Sequence, residues 1–227
     1  AVLEIVSKRV ADMAKGEPIP YLPGGISPDR HRFHEESGQE QSHLALSFRN
    51  VDRYDKTRFA HKLLNVILGE NMSSRLFQTI REQKGLCYEV QSDMASFSDA
   101  GLLQIYLALS PKNLKEALYG ISDILNDLRE NGVSDQELEE SKAYIIGQNR
   151  ISLENTSAQM MWAGETLLFF DDWIDPEDSH RRVEEVTSAD IRSAARIAFD
   201  LDTLCSALIG PGTSHKVLTE WISACST

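Results

Sequence analysis

The stretch LLQIYLALS, Leu102 to Ser110, limits the possible folds more than any other part of the chain. Extended, it places Leu103, Ile105, Leu107 and Leu109 on one side and Leu102, Gln104, Tyr106 and Ala108 on the other. Side chains alternate across a strand, so one face is wholly apolar and the opposite one is mixed. Such a strand needs cover on one side only. Leu86 to Phe97 reads as its hairpin partner, joined through the turn SFSDAG. In HLALSFR, Leu44, Leu46 and Phe48 alternate with His43, Ala45, Ser47 and Arg49, a second half-buried strand, and LCSALIG near the end is another.

Helices supply the cover. Tyr54 to Leu68 carries Phe59, Leu63, Val66 and Ile67 on one stripe, with Gly69 as its stop. Ser73 can cap a shorter helix holding Leu76, Phe77 and Ile80, which Gly85 ends. Pro111 opens a helix with Leu114, Leu118, Ile121, Leu125 and Leu128 at spacings of four and three. Ser134 and Glu137 form a capping box for a helix read as running past Gln159 with a bend near Gly147. Shorter helices follow over Gly164–Phe170 and Asp175–Val183, then one over Val186–Phe199 capped by Thr187 or Ser188, and a last one in SHKVLTEWISAC. With a hairpin in the middle and helices grouped in the second half, the expected fold class is α+β: a two-layer sandwich, a mainly antiparallel sheet with helices on one face.

Ahead of this body, Val2, Ile5, Val6, Val10 and Met13 keep helical spacing until Gly16, Pro18 and Pro20 stop them. Residues 21–42 are rich in Pro, Gly and charge and read as an extended linker. The expected organisation is therefore a helix in 1–20, a linker in 21–42 and the main domain in 43–227.

Composition narrows the function. The 227 residues, 41% of them hydrophobic, can bury a core for one large domain or two small ones. A net charge of -12 without a basic stripe argues against nucleic acid and anionic membrane surfaces as partners. No apolar run reaches the roughly 18 to 20 residues that span a bilayer. Cys87, Cys205 and Cys225 have no short spacing, which favours a reducing, cytoplasmic setting over a disulfide framework. Phosphate-binding glycine loops, a GxSxG elbow and EF-hand or zinc-finger spacings are all missing. HRFHE, His31 to Glu35, has two His and a Glu but neither the HExxH nor the HxxEH order of zinc peptidases, so no metal ligand is expected in this chain.

One segment, SSRLFQTIREQKGLCYEVQS, is harder to read as packing alone. Arg81 lies near a helix end, Tyr88 a few residues into a strand, and Gly85 permits a sharp connection between them. They can converge on one point, the guanidinium donating to a carbonyl or carboxylate and the phenol to a developing oxyanion. Alternatively Arg81 pairs with Glu82 or Glu89 as a solvated ion pair worth little, and Tyr88 packs on the sheet.

The run from NVILGENMSSRLF through GLLQIYLAL, with NGVSDQELEESKAYIIG and VEEVTSADIRSAAR, closely resembles the C-terminal half-domain of the pitrilysin/insulinase family of zinc peptidases, which includes the mitochondrial processing peptidase and many bacterial zinc proteases. The resemblance implies a zinc-dependent endopeptidase built from similar α/β units that close around unfolded peptide or protein substrates. Zinc would be held by an N-terminal half-domain carrying HxxEH, absent from this chain, and residues 1–20 would be the last helix of that half. Arg81 and Tyr88 match the pair, seven positions apart, that faces the metal: Tyr88 would steady the tetrahedral oxyanion and Arg81 would hold a substrate carbonyl. The chain alone would then be inactive and would act within a homodimer or heterodimer. Two alternatives stay open, a non-catalytic partner subunit of a heteromeric zinc peptidase and a structural homologue without peptidase role. Gly69-Glu70-Asn71-Met72 departs from the glycine run of many relatives, and Cys87 occupies a small-residue position and reads as buried and inert.

Overall fold

The computed structural model describes residues 2–14, 16–17, 32–36 and 38–225. Among these, five strands form one sheet: β1 (Arg32–Glu36), β2 (Ser42–Asn50), β3 (Cys87–Ser96), β4 (Gly101–Leu109) and β5 (Cys205–Gly210). Their order across the sheet is β1-β5-β2-β4-β3. β1 runs parallel to β5, and every other pairing is antiparallel. The alternation seen in the sequence fixes which face is buried. Leu44, Leu46, Phe48, Leu103, Ile105, Leu107, Leu109 and Leu208 are fully buried on the inner side. Each such side chain contributes about 1.5–3 kcal/mol by leaving water.

The inner face is covered by helices. These are α2 (Arg58–Asn65), α3 (Leu114–Glu130), α7 (Ser188–Ala198) and α8 (Gly212–Cys225), with α4 (Asp135–Ser152) and α6 (Pro176–Glu184) packed around α2. α3 buries Leu114, Leu118, Ile121, Leu125 and Leu128; α7 buries Ile191, Ala194, Ala195 and Ala198. Small residues on α7 let it approach the body closely, and Phe48 meets Phe199 edge-on at its end, ring centres 5.9 Å apart. On the opposite face His43, Ala45, Ser47, Gln104 and Tyr106 are half-buried and Glu89, Gln91 and Asp93 exposed, so no helical layer lies there among the described residues. The two-layer α+β architecture, with a mainly antiparallel sheet and helices on one face, is the one the sequence implied.

Several element boundaries differ from the sequence reading, each for a local reason. Within the stretch read as a linker, residues 32–36 pair with β5 as an edge strand; parallel pairing at an edge leaves little hydrophobic alternation to detect. Gly69 does not stop a helix. The turn continues as a π-helix over Val66–Glu70, and a Cβ on Gly69 would sit 2.6 Å from the backbone nitrogen of Ser92, so the glycine serves a close approach to β3. The long helix expected past Gln159 breaks at Leu153–Asn155, because the Asn155 side chain accepts from the Ser157 amide at 2.8 Å and starts α5 (Thr156–Phe170). Only half of the box expected at Ser134 forms: its hydroxyl accepts from the Glu137 amide, while the Glu137 carboxylate is drawn to Arg75. At Thr187 and Asp190 the reciprocal box is complete.

Candidate functional site

Arg81 and Tyr88 sit on either side of a junction whose geometry follows from one extra residue. The helix that begins at Arg75 widens to a π-helix over Phe77–Gln83. Lys84 N–H accordingly reaches back five residues, to the Thr79 carbonyl at 3.2 Å. Gly85 then takes φ +61°. Its amide donates to the Arg81 carbonyl at 3.0 Å and the Leu86 amide to the Ile80 carbonyl at 3.0 Å. Each bond spans one residue more than in the usual glycine-ended α-helix, which is what a π-type last turn requires. Asn113 holds the exit by donating to the Leu86 carbonyl at 2.9 Å. The strand that follows is irregular at its first step: Cys87 pairs with Leu109 and Glu89 with Ala108, so Tyr88 has no opposite residue. A bulge of this kind re-aims a side chain at a sheet edge, and β3 is an edge strand.

Both named side chains stand in solvent. Tyr88 is 63% exposed, so it does not pack on the sheet as the alternative reading required. Arg81 lies over the Phe77 ring, its guanidinium carbon 4.7 Å from the centroid. Its ion pair with Glu82 is long, 3.9 Å, and exposed on both sides. The guanidinium thus keeps its donor fork available. Burial pushes the Cys87 thiol up to about 11, and the positive charge of Arg81 opposes that shift. Arg81 is therefore electrostatically close to the residue next to Tyr88. Cys87 is half-buried rather than fully buried.

The support of this junction is charged and directional. Arg75 donates through Nε and Nη2 to both oxygens of Glu137, through Nη1 to Asp127 at 2.7 Å and through Nη2 to the Gly132 carbonyl at 3.0 Å. One guanidinium thus ties the start of this helix to the end of α3, the turn after it and the start of α4. Burial alone would lower the Arg75 pKa, but the hydrogen bonds and charges of Glu137 and Asp127 together raise it. Beneath the turn Gly69–Met72, the Ser92 hydroxyl donates to Asn65 Oδ1 at 2.8 Å and Asn65 Nδ2 donates to Glu70 at 2.8 Å. Glu70 therefore has a specific partner.

One pair that sequence inspection left unremarked lies on the open face. The Tyr106 hydroxyl and His43 Nδ1 are 2.8 Å apart. Burial raises the Tyr106 pKa, and Glu89 adds to it. Alternation put both on the mixed faces of their strands; their contact needed the β2–β4 register, in which His43 stands opposite Ala108 and Tyr106 opposite Ala45. In the HRFHE segment, His34 belongs to β1 and its ring centre lies 5.3 Å from that of His215, while His31 is outside the described residues. Among the described residues no three His, Cys, Asp or Glu side chains come together as a metal site.

The profile of the family described as peptidase M16 inactive domain matches residues 1–145. A Streptomyces coelicolor protein named an uncharacterised zinc protease is 35% identical over 157 residues, 69% of this chain and 34% of the relative. Its Bacillus subtilis counterpart is 33% identical over 163 residues, 70% of this chain and 38% of the relative. The chain spans little more than a third of the length of these relatives. Among solved structures, a peptidase M16 inactive domain from Pseudomonas fluorescens matches with a TM-score of 0.81 at 24% identity, over 92% of this chain and 50% of that one. A protease from Helicobacter pylori matches at 0.80 and 19% identity, over 92% and 52%. At these identities the two structures speak for the fold. The zinc in the relatives' names finds no ligand set in the described part of this chain. By the profile match over well over half its length, the chain belongs to the peptidase M16 family, as its inactive domain.

Proposed function

We propose that this chain is the substrate-binding and transition-state-stabilising domain of a zinc endopeptidase that cleaves unfolded peptides, with Arg81 and Tyr88 as the residues that touch substrate. The observation that carries the reading is the exposure of both side chains at one π-helix-to-bulge junction, neither engaged in packing that explains it. A half-exposed guanidinium with a free fork suits a peptide carbonyl, and a phenol at a bulged strand edge suits an oxyanion forming on the scissile carbon. Preorganisation comes from Gly85, Asn113 and the Arg75 brace, which fix the backbone under both residues. The metal would belong to another part of the protein, and the chain by itself would be inactive.

Helix α1 (Val2–Val10) supports a second body. It is amphipathic, and none of its residues is buried by the described chain. An apolar stripe of this kind is stable when something packs on it, which suits a helix that closes a preceding half-domain.

The test uses the full-length protein with zinc and a quenched unfolded peptide. Arg81→Ala and Tyr88→Phe are expected to lower kcat/KM, Tyr88→Phe mainly through kcat, with zinc content unchanged. Equal turnover in all three proteins would remove both residues from the reaction.

A further inference from the structure

We propose that the outward stripe of α5 is a self-association surface, on which a second copy of this chain packs about a two-fold axis at Gly164. Thr166 is the only residue of α5 that the described chain buries. The helix leans on the body through Trp162, whose Nε1 donates to the Ile174 carbonyl at 2.8 Å. Phe169, with the Arg53 guanidinium over its ring, and Phe170, edge-on to Tyr54, complete that side. The side turned away from the body is apolar as well, and a helix apolar all round is one that ends up covered all round. Arg81 and Tyr88 have no part in this surface, so the proposal stands or falls separately from the cleavage reading.

The size of the uncovered area is the first observation. Met160 is 64% exposed, Met161 55%, Leu167 55% and Leu168 77%, and Gly164 between the two pairs is exposed too. At roughly 200 Å² for a residue of this size the four leave about 500 Å² of apolar surface in water. Ile151 and Trp173, just beyond the two ends of α5, are each more than half exposed. With them the total is about 700 Å², close to the ~800 Å² that each partner gives to a stable interface and above the ~300–600 Å² of a monomer's largest patch.

The symmetry of the stripe is the second observation, and it selects a second copy as the occupant. Met160 and Leu168 stand four positions either side of Gly164, and Met161 and Leu167 three. At 3.6 residues per turn all five share one face, with Gly164 at its centre. A two-fold axis through Gly164 runs two such helices antiparallel. It sets Met160 on Leu168 of the second copy and Met161 on Leu167 of the second copy, and each contact is repeated by the symmetry, as an isologous interface requires. A Cβ on Gly164 would meet nothing within 4 Å, so the two backbones can approach at the axis. Charge permits the pairing. Glu165, the one charged residue of α5, lines a cleft with Arg53 and Arg58 on the body side. Asp171 and Asp172, just past the helix end, come beside Ser157 and Thr156 of the second copy.

The experiment uses the full-length protein, in which any cover supplied by the rest of the polypeptide is present. Sedimentation equilibrium in the micromolar range should show a dimer. Leu168→Glu places a carboxylate on both sides of the axis and should weaken dimerisation about a hundredfold, about tenfold for each copy of the substitution. Leu168 is 77% exposed, so the variant should keep the wild-type far-UV spectrum. Gly164→Cys should cross-link the two copies on mild oxidation, because a residue on the axis meets its own copy near the roughly 4 Å Cβ separation of a disulfide. Ser157→Cys, about 21 Å from its own copy, should not. Both are read on non-reducing gels against wild type, which carries the native thiols Cys87, Cys205 and Cys225. A monomer at every concentration would overturn the proposal: if Leu168→Glu then lowers the thermal midpoint, the same polypeptide covers the stripe, and if it does not, no second copy is needed. A dimer that Leu168→Glu leaves intact, or that Gly164→Cys does not cross-link, would overturn it equally.

Discussion

Arg75 grips both carboxylate oxygens of Glu137, Nε to Oε1 at 2.8 Å and Nη2 to Oε2 at 2.7 Å, across 62 positions of sequence. The Arg75 side chain is 20% exposed and that of Glu137 30%. Planarity is the point of the contact, since two parallel donors meet two acceptors. A lysine can replace the charge but not the fork, and it also loses the Gly132 carbonyl. Arg75→Lys should therefore cost about 2 kcal/mol, below the 3–5 kcal/mol of a fully buried pair because water reaches both partners. Urea unfolding checks this, and a midpoint equal to wild type would show that the brace is dispensable.

Two glycines should respond to alanine very differently. A Cβ on Gly101 would sit 2.0 Å from the Val51 carbonyl oxygen and 2.7 Å from the Asn50 carbonyl carbon. Both obstacles are backbone of the chain leaving β2, so neither can swing aside. At Gly85 nothing lies within 4 Å, and only the left-handed φ of +61° opposes a side chain. Gly85→Ala should lose about 1 kcal/mol, whereas Gly101→Ala should prevent the hairpin from docking on β2. Soluble yield and thermal midpoints of the two variants give the comparison; a mild Gly101→Ala would mean that β2 and β4 do not approach as closely as described.

Much of this was legible in the sequence where local signals were strong. The alternation in Leu102–Leu109 fixed the inner face, and Gly85 marked the turn between Arg81 and Tyr88. The same alternation could not announce β1, whose five residues pair at an edge, nor the contact of His43 with Tyr106, which depends on register. Two π-helical segments were invisible for another reason. Their apolar spacing, Val66-Ile67 and Phe77-Ile80, also fits an α-helix, and only the lengthened hydrogen bonds distinguish them. Tyr88 was readable as a candidate by resemblance, but its exposure is a property of the bulge, which arises from pairing with β4 rather than from its neighbours.

Cys87 offers a probe of where Arg81 sits. Burial pushes its thiol up to about 11, and the Arg81 charge opposes that rise. Since the thiolate is the nucleophile, alkylation at neutral pH should be slow in the folded chain and fast in urea. Removing the guanidinium removes the opposing charge, so Arg81→Ala should raise the pKa further and slow alkylation in the folded state while leaving the urea rate unchanged. Mass spectrometry resolves Cys87 from Cys205 and Cys225. Acceleration in the folded variant would mean that Arg81 acts as a steric shield rather than as a charge.

His61 should make the fold acid-sensitive in a defined window. Burial lowers its pKa from 6.5 to about 4, opposed by the charge of Asp55. The unfolded chain therefore takes up a proton first as pH falls. Stability from this group is intact above about pH 6.5, declines through the interval and is fully lost near pH 4, with a ceiling of ~3 kcal/mol at ~1.36 kcal/mol per pH unit. The charges around it come from each neighbouring segment: Asp55 and Lys56 just before α2, Arg58 on α2, Arg182 on α6, Glu185 at its exit and Asp190 on α7. Asp55 has its own pKa lowered by the Thr57 hydrogen bonds, so it stays ionised through the upper part of the window and cannot itself produce the loss there. In phosphate-free buffer, urea unfolding of wild type and His61→Leu at pH 7 and pH 5 isolates the contribution: the variant should lose less stability on acidification. Equal losses in the two proteins would place the acid sensitivity elsewhere in the chain.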